Sequence, residues 1–242
     1  MSCSELRYWL NQSLPLEDLP TTVRDYNKFY VSTIGKVTLS KKLDEIKVDN
    51  ASIFAGSYIK AYLNTRGIET GDILPSAFIR FSFPYNDIPN ILLKEHVLLS
   101  TFTKYGENPI EFIPILVFFS NGGHSMMLVL DNINKKAQLL DINGPYAIWS
   151  TAVEKVLYKN LPDYNIEAVE DICPVQIPVT LDGGICAAWS WFILMMRLAC
   201  NQRTTKRVVS EFLRLSEDDQ RRALLTFIIR VYEFKKMIEA HW

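Results

Sequence analysis

The chain predicts an α+β fold, with helices packed on a mainly antiparallel sheet. Three observations point there. Short apolar runs between residues 111 and 142 are joined by polar turns, Ile185–Cys200 is apolar nearly all round, and the last forty residues show helical periodicity. The 242 residues suit one domain, or a domain with a substantial extension.

Residues 21–66 read as mostly helical, with Tyr26, Phe29 and Tyr30, then Ile53, Tyr58, Ile59, Tyr62 and Leu63, at helical spacings. The following stretch, TGDILPSAFIRFSFPYNDIP, carries three prolines and suits irregular chain with short strand pieces. Residues 1–100 are therefore expected to form an N-terminal extension packed on a main domain of residues 101–242, since no Gly/Ser-rich linker separates them.

From there the pattern sharpens. Glu111–Ser120 is an apolar run of strand length, Asn121-Gly122-Gly123 signals a turn, and His124–Leu130 is a second strand. The polar stretch from Asp131 to Lys136 makes a hairpin loop, and Ala137–Ile142 returns. Residues 150–159 look helical behind an N-cap Ser150, and Ile166–Cys173 alternates as a half-buried strand. Gly183-Gly184 leads into Ile185–Cys200, expected to be a buried central helix. Ser216 and Asp219 resemble a capping box ahead of the apolar face of Leu224, Leu225, Phe227, Ile228 and Val231.

Composition removes several functional classes. Lys+Arg 26 against Asp+Glu 27 gives no bulk electrostatic grip on nucleic acid, and 48% hydrophobic residues lie outside the disordered regime. Ile185–Met196, the longest apolar stretch, is too short to span a bilayer. Four cysteines (3, 173, 186, 200) make no disulfide framework, and the start MSCSELRYWLNQ is no signal peptide. The expectation is a soluble intracellular protein with reduced thiols. Cys173, Cys186 and His124 offer no paired metal-ligand spacing, and no Walker-type phosphate loop occurs, so no metal or cofactor is expected.

Imidazole chemistry has three candidates. His241 adjoins the C-terminus, and His96, in ILLKEHVLLS, suits a partly buried structural role. His124 follows two glycines and opens a strand, where a general base is accessible. Asp141 stands 141 − 124 = 17 residues on, at the same end of the neighbouring strand of a tight hairpin. A carboxylate there can fix the imidazole tautomer, although taken alone it serves as well to cap the turn at Asn143-Gly144.

Cys186 opens the buried helix behind Gly183-Gly184. A thiol at a helix N-terminus is acidified by the dipole, and glycine-flanked amides can hold an oxyanion. A small buried core residue is the ordinary reading of a cysteine and suits Cys3, Cys173 and Cys200 better than Cys186. Gln176, ten residues before Cys186 (186 − 176 = 10), has an amide able to donate to an oxyanion, though a loop glutamine is more often plain surface.

The order His…Asp…Gln…Cys, carried by GGHSMMLVLDNINKKAQLLDINGP and CPVQIPVTLDGGICAAWSWFILMMRL, resembles the ubiquitin-like protease superfamily of cysteine peptidases, which includes SUMO-specific proteases and the adenovirus protease. The second segment is similar in style to predicted cysteine proteases of large DNA viruses. The resemblance covers roughly residues 110–200. Ser125 stands where a tryptophan commonly follows the histidine, and Ala187 where a glycine often follows the cysteine.

The resemblance implies a papain-like fold with permuted order, histidine first and cysteine last, between helical N- and C-terminal extensions. It implies His124 as general base, Asp141 as its orienter, Cys186 as nucleophile, and Gln176 with the Cys186 backbone N–H as oxyanion donors. It implies a protein substrate, either a ubiquitin-like modifier or a viral precursor; residues 1–100 are expected to select it, because the site chemistry is generic and the extension is not. The expected location is cytoplasm or nucleus, of a host cell or in a virion if the source is viral. Two other readings stand beside it: acyl transfer from acetyl-coenzyme A, as in bacterial acetyltransferase effectors of the same fold and residue order, and an inactive scaffold.

Overall fold

A computed structural model describes residues 4–19, 37–39, 46–48, 51–68, 77–81, 96–98, 109–119, 122–141, 148–168, 185–200 and 204–240. The chain comprises two compact units. One holds Met1–Thr70 with Gln176–Trp242, and the other is Gly71–Val175.

The second unit is built on a sheet, because its segments are rich in β-branched and aromatic residues at strand length. Among the described residues the strands are β3 (Ala77–Phe81), β4 (His96–Leu98), β5 (Ile110–Phe119), β6 (Gly122–Asp131), β7 (Lys136–Leu140) and β8 (Asn165–Ala168). They lie in the order β4-β3-β5-β6-β7-β8. The β3–β4, β5–β6 and β6–β7 pairs are antiparallel, whereas β3–β5 and β7–β8 are parallel. The architecture is thus mixed helix and sheet with mostly antiparallel pairing. β3 and β4, which precede residue 100, are strands of the same sheet as β5 to β8.

β5 and β6 pair along their full length, from Ile110↔Asp131 to Phe119↔Gly122. Gly122 and Gly123 are therefore strand residues and not the turn that their composition suggested. Residues opposite one another share a face, so Val117, Ile115 and Ile113 line up with His124, Met126 and Leu128. This face packs with Val153, Val156 and Leu157 of helix α3 (Ile148–Asn160) into one buried cluster. The helix begins two residues before the expected cap at Ser150, which lies inside it.

The β6–β7 turn is held locally. Asp131 Oδ1 accepts from the backbone N–H groups of Ile133 (3.1 Å) and Asn134 (3.0 Å), and Lys135 takes a positive φ of 51°. These hydrogen bonds hold the Asp131 carboxyl below its usual range, the Asn134 side-chain bond acting most strongly.

The other unit is helical at its centre. Its helices are α1 (Ser4–Asn11), α2 (Ala51–Thr65), α4 (Ile185–Ala199), α5 (Thr205–Leu213) and α6 (Glu217–Glu239). Ala188–Met196 of α4 are all buried, as an all-round apolar helix requires. Phe192 stands 6.0 Å from Trp9, 5.5 Å from Phe212 and 5.9 Å from Phe227, measured between ring centres. Trp9 satisfies its indole N–H on the Ala223 carbonyl at 3.0 Å. Ser216 caps α6 by accepting from the Asp219 N–H at 3.2 Å, as the capping pattern predicted.

Two expectations need correction. Residues 21–66, expected to be mostly helical, hold helix α2 but also two short strands. Val37–Leu39 and Ile46–Val48, here β1 and β2, pair as an antiparallel ribbon, favoured by the β-branched residues in VTL and IKV. Tyr26, Phe29 and Tyr30 lie outside the described residues. Nor are all four cysteines thiols, because Cys200 is disulfide-bonded. Spacing along a chain carries no information on which cysteines meet in space.

Candidate functional site

His124 and Asp141 meet in the sheet unit through strand register. On the β6–β7 pair Leu128 faces Leu139 and Met127 faces Leu140, so the next level beyond the strand end sets Asp141 beside Met126. His124 is two residues further along the same face of β6. The two are diagonal neighbours, within reach of an imidazole and a carboxylate. The observed His124 Nε2 to Asp141 Oδ1 distance is 2.7 Å.

Both groups are buried, His124 at 9% and Asp141 at 5% exposure. In such surroundings an unpaired polar group is costly, and a short charge-assisted hydrogen bond offsets much of that cost. A carboxylate oxygen accepts, so Nε2 carries the N–H and Nδ1 is the basic ring nitrogen. The pair is therefore a histidine of fixed tautomer and orientation, with a carboxylate placed to stabilise an imidazolium.

Cys186 is the second residue of α4, in its first turn, as expected for a helix-opening cysteine. It belongs to the helical unit, whereas His124 and Asp141 belong to the sheet unit. Its side chain, like the whole of Gln176, lies outside the described residues. His96 is on β4, opposite Phe81 of β3.

A second polar group occupies the far end of the core face, and sequence reading missed it. Glu111, opposite Leu130, is only 1% exposed. It accepts from Asn132 Nδ2 at 2.8 Å, and the Tyr164 hydroxyl donates to Asn132 Oδ1. A charged residue at a core-facing position of a strand was the available signal. Among the described residues no group of three or more His, Cys, Asp or Glu could hold a metal ion, and no helix is long and apolar enough to cross a membrane.

No protein-family model and no curated protein matches the chain. Among solved structures, SUMO protease Ulp1 with the catalytic cysteine oxidized to a sulfenic acid aligns over 97% of this chain and 94% of its own, at 14% identity and a TM-score of 0.38. The same protease in its sulfinic acid form aligns over 96% of this chain and 94% of its own, at 15% identity and a TM-score of 0.35.

Proposed function

We propose that the chain is a thiol peptidase that cleaves a peptide or isopeptide bond through His124, Asp141 and Cys186. The observation that carries this reading is the buried 2.7 Å contact of His124 Nε2 with Asp141 Oδ1, which supports Nδ1 as the base. Cys186, in the first turn of a 15-residue helix, has the dipole position that favours a thiolate.

In the reaction His124 Nδ1 takes the thiol proton and Asp141 stabilises the resulting imidazolium. The thiolate attacks the scissile carbonyl, and the oxyanion is held by the Cys186 backbone N–H and the Gln176 amide. Collapse transfers the proton from His124 to the leaving amine and leaves a thioester. Water, deprotonated by His124, hydrolyses it and frees the thiol. The chemistry requires Cys186 Sγ within roughly 3–3.5 Å of its reacting partners.

In this reading the catalytic domain is papain-like with permuted order over residues 101–242. Residues 1–100 select the substrate, a ubiquitin-like modifier or a viral precursor. An aspartate in the orienting position suits hydrolysis and acyl transfer alike, so transfer of an acetyl label to an acceptor protein separates the two.

The test is labelling with a panel of ubiquitin-like proteins carrying a C-terminal electrophile. A covalent adduct on Cys186, absent in Cys186→Ala and strongly slowed in His124→Ala, supports the reading. Adducts that form equally without His124 overturn it.

A further inference from the structure

We propose that the two cysteines of the α4 segment are held in opposite redox states. Cys200 is locked in a structural disulfide with a cysteine other than Cys186, and Cys186 stays a free thiol while that bond is intact. Cys200 immediately follows α4, is 7% exposed, and is disulfide-bonded. Cys186 is the second residue of the same helix. The Cys200 N–H still bonds the Met196 carbonyl at 2.9 Å, so the helix continues to that point. The 200 − 186 = 14 residues between the two cysteines then rise about 21 Å, against the roughly 4.4–6.8 Å between Cα atoms that a disulfide tolerates.

The helix has no means of folding back to bring its ends together. Residues 185–199 contain neither glycine nor proline, the usual sources of a sharp kink. Ala188–Met196 are all buried, and the Phe192 ring at mid-helix packs on Trp9, Phe212 and Phe227. The Cys200 bond therefore runs to another segment and pins the C-terminal end of α4. The end that carries Cys186 is left out of it.

The bond forms by oxidation with a disulfide such as oxidised glutathione. Two protein thiols become one protein disulfide, and one glutathione disulfide becomes two glutathione thiols. Burial of Cys200 shields the product, because exposed disulfides are the readily reduced ones. Such a bond persists in oxidising surroundings, so the chain is suited to act there with its nucleophile unspent. Only the name nucleophile rests on the peptidase reading; the disulfide and its separation from Cys186 stand without it.

The test is peptide mapping of the full chain, isolated without reductant and alkylated in denaturant. Trypsin with a protease that cuts before aspartate places Cys3 in residues 1–7, Cys173 in 171–181, Cys186 in 182–197 and Cys200 in 198–203. The expected result is Cys186 alkylated and 198–203 linked to 1–7 or to 171–181. Cys186→Ala should keep the same link. Reduction should lower Tm by roughly 5–10 °C in the wild type and in Cys186→Ala, and leave Cys200→Ser unchanged. A link from 198–203 to 182–197, Cys186 recovered unalkylated, Cys200 recovered alkylated, or a Tm indifferent to reduction overturns the proposal. Loss of peptidase activity with this map intact would count against the peptidase reading alone.

Discussion

His124 and Asp141 are diagonal neighbours on one buried face of the β6–β7 hairpin, joined by a 2.7 Å hydrogen bond from Nε2 to Oδ1. The bond fixes the imidazole so that Nδ1 is the basic nitrogen. Asp141→Asn keeps the shape but loses the charge that stabilises an imidazolium. Turnover should fall by up to about 10⁴, the order seen when a triad aspartate is neutralised, and leave weak residual activity. Peptidase kinetics on a cleavable fusion of whichever ubiquitin-like protein labels Cys186 in its electrophilic form checks this, and wild-type turnover would remove Asp141 from the mechanism.

Cys186→Ala should abolish turnover while changing stability by no more than ~1–2 kcal/mol, since the truncation is small and lies at a helix start. Urea melts beside activity assays separate the two effects. Equal turnover of the variant and the wild type would end the thiol mechanism.

The fold and the His124–Asp141 pair were legible where information is local. Alternating apolar residues and a polar loop identified the β6–β7 hairpin, and with it the juxtaposition of His124 and Asp141. Glycines before an apolar run located the start of α4. The parallel pairing of β3 with β5 was not legible, because it joins segments more than thirty residues apart and has no turn signature. The β1–β2 ribbon was read as helix because aromatic spacings on either side of it outweighed two three-residue β-branched strands. The core-facing Glu111 was hidden in an apolar run, since its partners Asn132 and Tyr164 come from other segments.

Alkaline stability should depend on Tyr62. Burial, reinforced by the Glu5 charge, pushes its hydroxyl up to about 12, and burial with Tyr62 nearby pushes Tyr58 up as well. An unfolded phenol ionises near ~10. Between these values the unfolded chain has released protons that the folded chain keeps, so stability falls as pH rises from about 10 to 12. The Tyr62 hydroxyl is buried with no hydrogen-bond partner among the described residues. Tyr62→Phe should therefore hold stability within ~1 kcal/mol at pH 7 and flatten the alkaline loss. Denaturant melts across pH 8–12 measure both.

The Glu111–Asn132–Tyr164 chain of hydrogen bonds should be structural. Tyr164→Phe removes the donor to Asn132 and should lower unfolding free energy by about 1–2 kcal/mol. The urea midpoint should drop at constant slope. A neutral outcome would mean the network contributes no net stability.

The most direct test of the central claim needs no substrate. The claim is that Cys186 is a thiolate nucleophile activated by His124. On the reduced chain, iodoacetamide at pH ~6 should modify Cys186 before Cys3, Cys173 and Cys200, because activation lowers the thiol pKa from about 8.5 into the ~3.5–7.5 range. His124→Ala should remove most of that advantage and leave the helix contribution. Mass spectrometry that finds Cys186 no faster than the other three thiols, with His124→Ala changing nothing, would contradict the account.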